Sequence, residues 1–178
     1  SQAWQVERLR YDDLRPLATG QGVTVAVIDT GVGTTLMPHL RDASIEIVDE
    51  VGATGIAKGK FDCRHGSIVT SLLAAAPGIT PDNDYAGIAP DVRVIAYRAL
   101  ALTEPPSNGV QPLGPVIDAI DDAVERKVDI ISISQQGDDT RQYEAAIARA
   151  VEAGILVVAA SGNDGPSGPT YPAAYPGV

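Results

Sequence analysis

Two side chains in this sequence have the types and settings that proton-transfer chemistry requires. Asp29 ends an apolar, β-branched run, Val23 to Ile28, and His65 lies at the start of a segment with helical spacing that begins at Asp62. A carboxylate at the end of such a run is costly to hold beside a core unless a cation or a hydrogen-bond donor meets it. An imidazole can be that partner. The carboxylate accepts from one ring nitrogen, fixes the tautomer and supports the imidazolium, which leaves the other nitrogen to act as a base. A third polar residue, Asn163, lies just past another apolar run, Ile155 to Ala160, and its side-chain amide can donate to an oxyanion forming nearby. What this set lacks is a nucleophile.

Strands and helices have to bring the three together. Val23 to Ile28 has the length and composition of a strand buried on both faces, typically central in a parallel sheet, where ligands gather at the carboxyl ends of the strands. Ile68, Val69, Leu72, Leu73 and Ala76 recur at helical spacing, with Asp62 as cap and Pro77-Gly78 as stop. That pattern puts His65 on the first turn, at the edge of the buried face. Further strands are predicted at Ile45 to Val48, Val92 to Leu100 and Ile130 to Ser134. One helix has Pro115 in its first turn and Val116, Ile117, Ile120, Ala123 and Val124 inward. A second opens with Asp139 and Gln142 as a capping box and ends at Gly154. Strand and helix alternate through the second half, which predicts an α/β fold with a doubly wound parallel sheet. Residues 1–21 read as an irregular arm, with Trp4, Val6 and Leu9 available to pack on the body, and 22–178 as a single domain without repeats.

Composition narrows the partners. Thirteen basic against twenty-three acidic residues leave a formal charge of -10, which argues against a nucleic-acid or anionic-membrane partner, since either needs a basic face. The single Cys63 rules out a disulfide within the 178 residues. No apolar run reaches membrane-spanning length and no signal-peptide pattern is present.

Asp29-Thr-Gly31, His65-Gly-Ser67 and Ser161-Gly-Asn163, in this order, resemble the motifs of the subtilisin-like serine proteases. The likeness runs over nearly the whole chain, including Ala86-Gly-Ile-Ala-Pro90 before the strand that follows the His65 helix. Within the family, Asp62-Cys-Arg-His65 and the Trp4 to Leu14 lead-in look most like the mycosins, proteases attached to type VII secretion systems. The resemblance implies that Asp29 orients His65, that His65 serves as general base and then acid, and that Asn163 holds the oxyanion. It also implies a substrate cleft lined by Ser134, Gln135, Gln136 and Gly137 on one side and Ala160, Ser161 and Gly162 on the other. Peptides or proteins would be the substrates, no cofactor or metal would be needed, and the setting would be secreted, extracytoplasmic or envelope-associated.

Two departures shape the expectation. The family's serine lies in a Gly-Thr-Ser-Met-Ala-like segment well downstream of the oxyanion Asn, and no Ser here fits that position. Residues 22–178 are therefore expected to be a partial subtilisin-like peptidase domain, truncated before the last strands and the Ser-bearing helix. Such a chain would be inactive alone and completed by a companion chain carrying the serine, either cleaved off or separately encoded. Ser134-Gln-Gln-Gly137 also stands where most members have Ser-Leu-Gly-Gly, which changes the cleft.

Other stretches admit other readings. Gly31-Val-Gly33 after a strand invites a dinucleotide site, but Leu36 replaces the third glycine and an acidic strand end repels pyrophosphate. Asp82, Asn83 and Asp84 form a loop that can bind calcium, though solvated acidic loops are commoner. Cys63 is read as structural or as half of an interchain disulfide, and His39 as a surface loop residue. The alternatives to catalysis are a pseudoprotease that binds peptides in the cleft, or a fragment with an unpaired sheet edge and an exposed apolar face.

Overall fold

A computed structural model describes residues 7–33, 37–49, 63–78, 85–100, 113–163 and 168–178. Five strands form one parallel sheet: β1 Thr24–Asp29, β2 Ile45–Val48, β3 Arg93–Arg98, β4 Ile130–Ile133 and β5 Leu156–Ala159, in the order β2-β3-β1-β4-β5. The helices are a single turn α1 Tyr11–Leu14, then α2 Arg64–Ala74, α3 Gly114–Glu125 and α4 Arg141–Glu152. The predicted doubly wound sheet is the observed one.

Strand periodicity sorts the core into two layers. Ala26, Ile28, Ile95, Tyr97, Ile131, Ile133 and Val157 face α3 and α4. Val25, Val27, Val94 and Ala96 face the other way, toward Val69, Leu73 and Ala74 of α2. Tyr97 is fully buried, and its hydroxyl donates to Asp122 Oδ2 at 2.7 Å. Asp122 also accepts from Arg126, whose guanidinium reaches Glu46 beside Arg93. Glu46 therefore ties β2 to β3 and α3.

α2 is anchored at both ends by groups outside it. A helix leaves its first N–H groups and last C=O groups without internal partners. At the C-terminal end, the backbone N–H groups of Gly87, Ile88 and Ala89 donate to the carbonyls of Ala75, Leu72 and Leu73 at 2.8–3.0 Å. Gly87 allows that approach, since a Cβ there would stand 2.3 Å from Leu73 O. At the N-terminal end the partner is Thr30.

Four local expectations are corrected. The buried face of α2 is Gly66, Ser67, Thr70 and Ala74, while Ile68 is exposed and Leu72 half-buried. Small residues let the helix start close in on β1, and this rotates the larger apolar side chains outward. Thr140, not Asp139, caps α4 by accepting from Tyr143 N–H at 3.2 Å; Asp139 accepts from the Tyr175 hydroxyl instead. The N-terminal arm is partly helical, and it packs through buried Tyr11 while Leu9 stays exposed. His39 is half-buried in a short 3-10 turn, edge-on to Tyr85. Trp4, Val6, Asp62, Leu36 and Asp82 to Asp84 lie outside the described residues.

Candidate active site

Asp29 is the last residue of β1, the central strand, and is only 1% exposed. Its Oδ1 accepts from Thr30 N–H at 2.6 Å and lies 2.8 Å from His65 Nδ1. Oδ2 lies 3.0 Å from the same ring nitrogen. His65 sits on the first turn of α2 with its side chain 46% exposed. The ring therefore turns Nδ1 to a buried carboxylate and leaves the Nε2 edge toward solvent. With Nδ1–H donating, a neutral imidazole carries its lone pair on Nε2, where it can accept a proton.

Three contacts fix where that ring stands. Thr30 Oγ1 accepts from Gly66 N–H at 2.9 Å, supplying from outside the cap that Cys63 does not give α2. Ser67 Oγ accepts from Gly33 N–H at 2.9 Å and donates to Cys63 O at 2.7 Å. Gly66 is needed for the approach, because a Cβ there would meet Gly31 O at 2.2 Å. The Asp29-Thr-Gly31 and His65-Gly-Ser67 tripeptides are thus two halves of one contact. Gly31, at φ +82, passes under Arg98, which pairs with Asp49.

The remaining expected residues sit along the same carboxyl edge of the sheet. Ala160 N–H donates to Ile133 O at 3.0 Å, extending the β4–β5 ladder by one bond. Ser134 to Gly137 and Ala160 to Asn163 then continue as two separate segments. Asn163 is exposed, and among the described residues no hydrogen bond joins it to Asp29 or His65. Of the two glutamines, Gln135 turns inward beside Tyr143, with its Nε2 buried, and only Gln136 presents an exposed side chain. Burial pushes the Tyr143 hydroxyl's pKa up. Cys63 is free and half-buried at the start of α2.

Sequence reasoning missed the floor beneath these segments. Gly137 N–H donates to Tyr171 O at 2.9 Å in an antiparallel bridge, so residues 170–175 close the space between the walls. A stack of Tyr171, Tyr175 and Tyr143 holds the floor to α4, with ring centroids 4.7 and 5.7 Å apart. The signal available was the repeated Tyr-Pro at 171–172 and 175–176, which marks an ordered turn rather than a loose tail.

Comparison with known proteins bears on this geometry. The sequence profile of the subtilase family (peptidase S8) matches residues 20–178. Mycosin-4 of Mycobacterium tuberculosis is 34% identical over 181 residues, covering 94% of this chain and 38% of mycosin-4. The major intracellular serine protease of Bacillus subtilis is 34% identical over 165 residues, covering 88% of this chain and 49% of that protein. Among solved structures, MycP1 with its N-terminal propeptide removed is similar at a TM-score of 0.70 and 29% identity, covering 93% of this chain and 51% of that one. The prenylagaramide maturation protease PagA gives 0.72 and 25%, covering 94% and 56%. The chain spans less than half the length of either sequence relative.

Proposed function

This chain belongs to the subtilase family, and on that premise we propose that it supplies the Asp, the His and the oxyanion Asn of a serine endopeptidase. The observation that carries the reading is the buried Asp29 carboxylate 2.8 Å from His65 Nδ1, with the far edge of the ring open. In this reading His65 Nε2 takes the proton of a seryl hydroxyl as that oxygen attacks a peptide carbonyl. It then returns the proton to the leaving amine, while Asp29 stays ionised and holds the imidazolium. Asn163 donates its side-chain amide to the tetrahedral oxyanion. Ser134 to Gly137 and Ala160 to Gly162 flank the peptide.

The seryl nucleophile comes from polypeptide outside these 178 residues. Support comes from the α2 side of the sheet. There Leu156 and Val158 of β5 are 57% and 50% exposed, and Ile68 of α2 is 43% exposed. A segment laid over these three side chains would bury apolar surface and bring its own residues beside His65. The likeness to mycosin-4 and MycP1 supports an extracytoplasmic, envelope-associated setting and a peptide or protein substrate. No helix among the described residues is long and apolar enough to cross a membrane.

Fluorophosphonate labelling of the protein as purified from its source, read by intact-mass spectrometry under denaturing conditions, tests the proposal. A labelled serine is expected, with labelling slowed at least about 10²-fold by His65→Ala. Labelling at an unchanged rate in that variant would refute His65 as the base. No label at all would favour the competing reading, a peptide-binding module, to which Gln135 and Gln136 lend some support.

A further inference from the structure

We propose that the cleft selects substrates with a small side chain (glycine, alanine or serine) at the position seated between Gln136 and Gly162, and that Gln136 and Thr170 impose this limit. The inference rests on the peptidase reading for its substrate class and on packing for its selectivity. The wall segments part beyond the Ala160–Ile133 bond, so the space between them is where a substrate side chain would enter. That space is already narrowed from two directions. Gly162 has φ +86, and the point where a Cβ would stand lies 2.8 Å from Gln136 Oε1, 2.8 Å from Thr170 Oγ1 and 2.8 Å from Thr170 Cγ2. The amide of one wall and the hydroxyl and methyl of the floor thus converge on the bare backbone of the other wall.

Neither obstruction is simply free to leave. Thr170 is β-branched, which makes its side chain stiff. Its segment is pinned by the Gly137–Tyr171 bridge and by Ala174 N–H donating to Thr170 O at 2.8 Å. Below it, the tyrosine stack is tied by the Tyr175 hydroxyl to Asp139 at 3.0 Å. Were the exposed Gln136 to be displaced, only one of the two barriers would open. A leucine or phenylalanine would have to displace both, whereas a methyl or hydroxymethyl group needs little room and meets polar atoms it can tolerate. The Gln-Gln in place of Leu-Gly, noted as a departure in the sequence, becomes a size filter: its second residue puts a side chain where a glycine would have none.

The test uses the intact protein and acetyl-tetrapeptides that differ only in their last residue. They are presented as anilides for kcat/KM and as free acids for binding by NMR shift perturbation. Each methylene in a confined pocket is worth about 10- to 200-fold in kcat/KM, so alanine is expected to exceed phenylalanine by at least about 100-fold. The double variant Gln136→Gly/Thr170→Gly should cut that ratio to below about tenfold on the same scale. Gln136→Ala alone should cut it partially, and this serves as the check should Thr170→Gly fail to fold. Cleavage with no preference for alanine, or a preference unchanged by these variants, overturns the size filter and leaves the peptidase reading intact. Binding that favours the alanine peptide without any cleavage overturns the peptidase reading and upholds the filter. Absence of both binding and cleavage overturns both.

Discussion

Replacing Gly66 with alanine sets two physical effects against each other. Alanine favours a helix interior over glycine by about 1 kcal/mol, so propensity alone predicts a more stable protein. The structure predicts the reverse. The added methyl would lie 2.2 Å from Gly31 O and 3.1 Å from Asp29 Oδ1, and Gly31 O is backbone that cannot rotate away. A carbon–oxygen contact needs about 3.3 Å, so the start of α2 has to retreat by roughly 1 Å. The retreat stretches the Gly66–Thr30 and Gly33–Ser67 bonds, both at 2.9 Å, along with the His65–Asp29 contact. Overpacking costs about 1–3 kcal/mol and the weakened hydrogen bonds about 1 more, so after the helix gain the net loss is near 2 kcal/mol. With a urea dependence of about 2 kcal/mol per molar, the unfolding midpoint should fall by about 1 M. Turnover should fall about 10²-fold, the penalty typical of a 1 Å misplacement of a reacting group. Urea denaturation of the intact protein reads the first effect, and kcat/KM on a peptide substrate the second. A midpoint that rises, with turnover intact, would refute the close approach as the device that positions His65.

Ser67→Ala removes the hydroxyl that bridges Gly33 N–H and Cys63 O; Cys63 O keeps the Ser67 N–H, but the half-buried Gly33 N–H loses its side-chain acceptor at a cost of about 1–3 kcal/mol. Ser67→Thr keeps the hydroxyl and should regain most of the loss; equal destabilisation by both variants would show that the bridge carries nothing. Tyr175 is pushed up to about 12, first by burial and then by the carboxylate of Asp139 beside it. Its unfolded value is about 10, so its contribution to stability is complete below about pH 10 and is lost as pH rises toward about 12. Thermal melts across that window should show a falling midpoint, and Tyr175→Phe should shrink the fall without abolishing it, because burial also raises Tyr97 and Tyr143. An alkaline slope identical in the variant would sink the assignment.

How far the sequence reaches depends on how local the cause is. Asp29 and His65 were legible because each sits at an element boundary written in adjacent residues, an apolar run that stops and a helical pattern that starts. The strands were legible to within one or two residues for the same reason. The face of α2 was not, because periodicity counts Gly66, Ser67 and Thr70 as polar or neutral spacers, while the fold uses their small size to seat the helix. Asp139 was a sound cap by pattern, yet a tyrosine far downstream takes its carboxylate and Thr140 caps instead. Thr170 could not be linked to Gln136 by any spacing rule, since their meeting depends on a bridge between residues 137 and 171.

The His65–Asp29 pair is, in this light, a by-product of backbone satisfaction. A buried carboxylate survives only when its oxygens are met, and a helix end close to a sheet survives only when its orphan groups are met. Asp29 and Thr30 answer both needs together: the carboxylate takes Thr30 N–H and the imidazole, and the neighbouring hydroxyl takes the helix N–H of Gly66. At the other end of α2, Gly87 to Ala89 close the last carbonyls. With both ends fixed, the imidazole has little freedom except rotation, and its bond to Asp29 removes that too. Positioning to the tolerance that proton transfer needs is therefore achieved by ordinary hydrogen-bond closure. Asn163 differs: it is exposed, and among the described residues no hydrogen bond joins it to Asp29 or His65.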